Sequence, residues 1–169
     1  MKQTDNFKFD EANVMNELVY RNLSEDAKRQ ICAWKYGGEY DLYNLPSYEE
    51  MQVRQIGFMN PQREKNYYGF WDESILVGFV NILEEKEEVF IGIGVNPDLC
   101  NKHYGQRMLL ITYEISKKLY PNEPLYLEVR TWNIRAVKCY QKAGFRIDGQ
   151  AYELTTEIGT GTFYRMIRE

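Results

Sequence analysis

Apolar Leu125, Leu127 and Val129 alternate with polar Tyr126, Glu128 and Arg130, a period-2 pattern that predicts a strand with two unlike faces. Asn133 then reads as a helix N-cap. Ala136, Val137, Tyr140 and Ala143 recur on one helical face before Gly144 ends the helix. Upstream, residues 1–13 are polar and predict a flexible lead-in, although Phe7 and Phe9 offer something to pack. Residues 14–22 read as a first strand, and Ser24 ahead of Glu25, Asp26 and Ala27 as the cap of a helix reaching about Lys35. Residues 34–47, rich in glycine and aromatics, predict an irregular loop before a second helix capped by Ser47. Three strands follow, over 67–71, 75–83 and 89–95, with turns at 72–74 and 84–88, which together read as an antiparallel meander. A helix from Tyr104 to about Tyr120 carries Met108, Ile111, Ile115 and Leu119 on one side, and Pro121 and Pro124 end it. Residues 145–154 and 162–167 predict a closing strand pair. This order predicts one α/β (α+β) domain over 14–169: a single mixed, mostly antiparallel central sheet with helices on both faces.

Composition narrows the function classes. The chain has 169 residues, 44% hydrophobic and 27% charged, enough for one well-buried core. A formal charge of −4 argues against a nucleic-acid binder, which needs a basic surface, and favours a cationic partner. No apolar run approaches the roughly 18 residues that span a bilayer, and the opening Met-Lys-Gln-Thr-Asp-Asn has no apolar signal core, so no membrane and a cytoplasmic location are expected. Cys32, Cys100 and Cys139 lack metal-ligand spacing and there is a single histidine, which predicts free thiols and no metal. The acidic run 84–88 reads as a solvated hairpin tip or as a contact for a cationic substrate.

Two stretches carry chemistry. Glu128 leaves the apolar row of its strand, while Tyr140 faces inward from the helix, which sets a proton acceptor near a proton donor. Packing gives the same pattern if Glu128 pairs with Arg130 and Tyr140 is a core aromatic. The second stretch is the turn from Val95 to Tyr104, where a helix begins. Its unpartnered backbone N–H groups and dipole suit a phosphate, with Gly105 allowing close approach and Lys102 and Arg107 adding charge.

Together these stretches resemble the GNAT superfamily of acyl-CoA-dependent N-acetyltransferases, over roughly residues 70–168. The most specific part is Leu127-Glu-Val-Arg-Thr-Trp-Asn-Ile-Arg-Ala-Val-Lys-Cys-Tyr-Gln-Lys-Ala-Gly-Phe145, which looks most like the ribosomal-protein N-terminal acetyltransferase branch. The resemblance implies acetyl-CoA as cosubstrate, Glu128 as general base, Tyr140 as the acid that protonates the leaving thiolate, and Asn133 near the pantetheine. It also implies pantetheine pairing with backbone groups of Ile93 and Val95, and a pyrophosphate loop at Cys100, Lys102, His103, Gly105 and Gln106. The family's loop pattern is Gln or Arg, two spacers, Gly, one spacer, then Gly or Ala. Cys100 and His103 depart from it, and Gly105 keeps it. The expected acceptor is a protein N-terminus, to which the 127–145 segment points, or a small cationic amine, to which the acidic charge points, with the aromatic residues 34–48 shaping the acceptor side, in a monomer or homodimer. A catalytically weak acyl-CoA-binding module of the same fold is the alternative.

Overall fold

The computed structural model describes residues 18–169, so the lead-in expected at 1–13 lies outside the described residues. The strands are β1 (Val19–Asn22), β2 (Tyr67–Asp72), β3 (Ile75–Glu85), β4 (Glu88–Val95), β5 (Leu125–Arg130), β6 (Arg146–Ile147), β7 (Tyr152–Thr156) and β8 (Gly159–Arg168). The helices are α1 (Glu25–Ala33), α2 (Tyr48–Arg54), α3 (Tyr104–Leu119) and α4 (Ile134–Lys142). All eight strands join one sheet in the order β1-β2-β3-β4-β5-β8-β6, with β7 paired to β8. The pairing is antiparallel except between β4 and β5, which matches the expected mixed sheet.

Two apolar cores lie against the sheet. Met108, Leu109 and Ile115 of α3 and Val137 of α4 pack with Ile91, Leu125, Leu127 and Val129. Ala27, Ile31 and Cys32 of α1 and Met51 of α2 pack with Trp71, Leu76 and Phe58. The capping residues act as their types predict: Ser24 accepts from the Ala27 amide and Ser47 from the Glu50 amide. No helix among the described residues is long and apolar enough to cross a membrane.

Several local readings need correction. Leu119, the last residue of α3, is half exposed; the buried face of the helix is Gly105, Met108, Leu109, Thr112, Ile115 and Ser116. The predicted strand over 145–154 is broken after Ile147, and Gly149 takes the positive φ of 75° that turns the chain into β7. The segment 84–88 is more than a solvated tip. Glu85 accepts from the Tyr126 hydroxyl, and Glu88 pairs with Arg165. Tyr126 and Arg130 are buried as well, so the polar face of β5 is not a solvent face.

Candidate active site

Strands β4 and β5 pair only at Val89↔Leu125 and Phe90↔Tyr126, then splay apart. The Val89 amide donates to the Pro124 carbonyl on the β5 side, so strand alternation turns the backbone groups of Ile91, Ile93 and Val95 toward the gap. A cleft of about 590 Å³ opens there. Glu128, Asn133, Tyr140, Ile93, Val95, Cys100, His103, Gly105 and Gln106 all line it, whereas Lys102 is exposed and does not.

Glu128 is half-buried and accepts a hydrogen bond from the Tyr152 hydroxyl. It makes no ion pair with Arg130 among the described residues; that guanidinium instead lies over Phe163, 4.8 Å from the ring centre. Burial, reinforced by the Glu128 carboxylate, pushes the Tyr152 phenol well above its ordinary range, so Tyr152 is a fixed donor at neutral pH.

Asn133 caps α4 through its side-chain oxygen, 3.2 Å from the Ala136 amide, and its amide nitrogen donates to the Tyr43 hydroxyl at 3.2 Å. Trp132 packs against Tyr40 and Tyr43, and Arg135 lies 4.0 Å over the Tyr40 ring. The short 3₁₀ segment Gly38–Tyr43 is thereby fastened to the strand-to-helix step. Tyr140 projects from the next turn of α4. Burial is the main cause that drives its phenol pKa far upward, with Cys139 and Tyr43 adding to it. The phenol is therefore protonated throughout the neutral range. It is also a more reluctant acid than an exposed tyrosine.

The turn before α3 is marked by its backbone conformation. His103 sits at the N-cap with φ 65° and ψ 8°, and Asn101 also has positive φ, at 63°. Histidine and asparagine are among the residues that tolerate this region best, at a cost of roughly 1 kcal/mol or more. His103, Tyr104, Gly105 and Gln106 line the cleft at the start of α3, where a helix's first amides have no intrahelical partner. Gly105 serves packing more than phosphate approach, since a Cβ there would come within 2.9 Å of Cys139 Sγ, where α3 meets α4. Burial raises the Cys100 and Cys139 thiols, which makes both poor nucleophiles.

Six further residues belong to the site. Arg135, Lys138 and Lys142 line the cleft beside the α3 start, at i, i+3 and i+7 along α4, a one-sided basic stripe legible in the sequence. Tyr36 and Tyr43 enter from the loop after α1, and the Tyr36 hydroxyl donates to the Val95 carbonyl at 2.5 Å. Tyr152 arrives from β7. Only the tertiary fold brings Tyr36 and Tyr43 to the cleft and Tyr152 to Glu128.

The Acetyltransferase (GNAT) family model matches residues 29–145. No curated protein sequence matches the chain. Among solved structures, the spermidine N-acetyltransferase from Vibrio cholerae in complex with CoA and spermine is similar at TM-score 0.70 and 18% identity, covering 89% of this chain and 94% of that one. AAC(6')-Ib in complex with ribostamycin and coenzyme A gives 0.67 and 16%, covering 89% and 92%. A GNAT-family acetyltransferase from Streptococcus pneumoniae gives 0.64 and 23%, covering 90% and 98%. These likenesses extend the fold well beyond the matched segment. With the family model spanning more than half its length, the chain belongs to the acetyltransferase (GNAT) family.

Proposed function

We propose that this protein transfers the acetyl group of acetyl-CoA directly to a primary amine, with Tyr140 donating to the departing thiolate and Glu128 accepting the amine's proton. The observation that carries this reading is that a carboxylate and a protonated phenol line the same cleft as the free strand edge of β4 and the start of α3. Acetyl-CoA fits that cleft chemically. Ile93 offers backbone groups for the pantetheine amides, the α3 amides with His103, Gly105 and Gln106 offer a pyrophosphate cradle, and Arg135, Lys138 and Lys142 balance phosphate charge. Lys102, away from the cleft, is left to long-range attraction.

An alkyl amine with pKa about 10.4 is about one part in 10³ neutral at pH 7, so freeing the nucleophile costs roughly 4 to 5 kcal/mol. For an α-amine near pKa 8 the cost falls to about 1 to 2 kcal/mol. Glu128 receives that proton through its carboxylate, which Tyr152 orients. Amine attack then expels the thiolate, whose conjugate acid is near 8.5, and Tyr140 supplies the hydrogen bond or proton it needs. Three free cysteines suit a reducing cytoplasm as the place of action.

The acceptor is an amine. Spermine and ribostamycin, bound by structurally similar proteins, are cationic amines, while the 127–145 segment points toward a protein N-terminus. The alternative, a weak or inactive acyl-CoA-binding module, gains from Tyr36, which already holds the Val95 carbonyl that pantetheine pairing would use. Release of free CoA thiol from acetyl-CoA, measured with peptides and with small amines, separates the two. Amine-dependent release supports transfer. Tight acetyl-CoA binding with no release across the panel supports the module.

A further inference from the structure

Lys28 and Arg130 are the two buried cations among the described residues, and half-buried Arg165 can be compared with them. Lys28 meets Glu25 at 3.0 Å and Glu64 at 2.7 Å. Arg165 meets Glu88 and, at 3.3 Å, Asp148. Arg130, at 7% exposure, has no carboxylate partner among the described residues. Its one hydrogen bond there is a long one of 3.4 Å to the Gly159 carbonyl, and its buried Nε has none. A buried cation without an anion is costly, and Lys28, the other buried cation, has two carboxylates where Arg130 has none.

Arg130 also lines the cleft, on the same strand face as Glu128 two residues earlier, about 7 Å along the strand. Gly161 makes room for it, since any side chain at 161 would collide with the guanidinium. Phe163 lies under the guanidinium, and the cleft lining elsewhere includes Trp34, Leu45, Phe79 and Phe90. Among the described residues that line the cleft, Glu128 is the only carboxylate. A polyamine's second ammonium would therefore meet Arg130 rather than an acid.

From this we infer that the acceptor is an amino acid with an apolar or aromatic side chain, its carboxylate held by Arg130 and its amine presented to Glu128. The inference rests on the acetyl-transfer reading and assigns Arg130 as its specificity-determining residue. An α-amine and a carboxylate on one carbon offer one group to each of these two side chains. A guanidinium fork is the side chain best matched to a carboxylate. The reaction balances as for any amine: the N–C bond forms, the C–S bond breaks, the amine proton leaves through Glu128, and the thiolate is protonated.

The test compares L-phenylalanine, L-phenylalaninamide and spermidine as acceptors for the full chain, by CoA thiol release, in wild type, Arg130→Lys and Arg130→Met. The amide keeps the amine and ring but lacks the carboxylate, and its less basic amine should favour it on nucleophile supply alone. Wild type is expected to prefer phenylalanine by at least about 30-fold in kcat/KM, the range for losing one partner of a buried charge pair. Arg130→Lys should keep part of that preference. Arg130→Met should abolish it while leaving the Tm equal to or above wild type, because an unpaired buried charge has been removed. Equal or better use of the amide or of spermidine overturns the inference and leaves acetyl transfer standing. A lower Tm in Arg130→Met with an unchanged preference overturns it too, since Arg130 would then serve the fold. No thiol release with any amine overturns the transfer reading, and this inference with it.

Discussion

The strand-to-helix step at Glu128–Tyr140 and the turn at 96–105 face each other across one cleft but are built on different principles. At the first, chemistry resides in side chains: a carboxylate, a carboxamide cap and a phenol, each held by a named partner or by burial. At the second, the proposed chemistry resides in backbone, with His103 in a left-handed conformation at the start of α3. Side-chain sites announce themselves by residue type. A backbone site tolerates Cys100 and His103 at positions where the family pattern has other residues, so long as the chain still turns.

The largest expected effect is at the first region. Tyr140→Phe should lower kcat by about 10³-fold, within the range for a positioned acid, with acetyl-CoA binding nearly unchanged. Because burial keeps this phenol protonated, the wild-type rate should show no fall from this group as pH rises to about 10, the value of an ordinary tyrosine. Next, Glu128→Gln should cost about 10²-fold at pH 7, and the loss should shrink as pH rises and free amine becomes available. A pH-independent loss would mean that Glu128 positions the acceptor rather than taking its proton.

Smaller effects belong to the second region and are read as stability. Gly105→Ala forces a methyl against Cys139 Sγ and should cost about 1 to 3 kcal/mol, a Tm drop of about 2–4 °C for each kcal/mol in a chain of this size. Cys139→Ala in the same chain should recover most of it, which a double-mutant cycle would measure. His103→Gly removes a positive-φ side chain and should stabilise by about 0.5 to 1 kcal/mol, with acetyl-CoA affinity changed less than about threefold. A large loss of affinity in that variant would break the contrast, because the imidazole itself would then be a ligand.

How much the sequence disclosed follows the same division. The period-2 runs of β3, β4 and β5 and the caps Ser24, Ser47 and Asn133 were legible because each rests on local physics. So were Glu128 and Tyr140 as cleft residues. Tyr152 was not, because it lies 24 residues from Glu128 and reaches it only when β7 folds back on β8. Tyr36 comes from 59 residues away to reach Val95. The burial of Tyr126 and Arg130 contradicts simple alternation for the same reason, since ion pairs and the β7–β8 hairpin cover that strand face. Lys102 fits a phosphate by charge and proximity in sequence, yet it is exposed in an irregular turn and does not line the cleft.

The central claim is that Tyr140 acts on the leaving thiolate, and varying the leaving group tests it most directly. The rate ratio of wild type to Tyr140→Phe should be measured with acetyl-CoA and with an acetyl thioester of an aromatic thiol, whose thiolate departs without protonation. The account predicts a large ratio with acetyl-CoA and a ratio near one with the aromatic thioester. Equal ratios with both donors would contradict it.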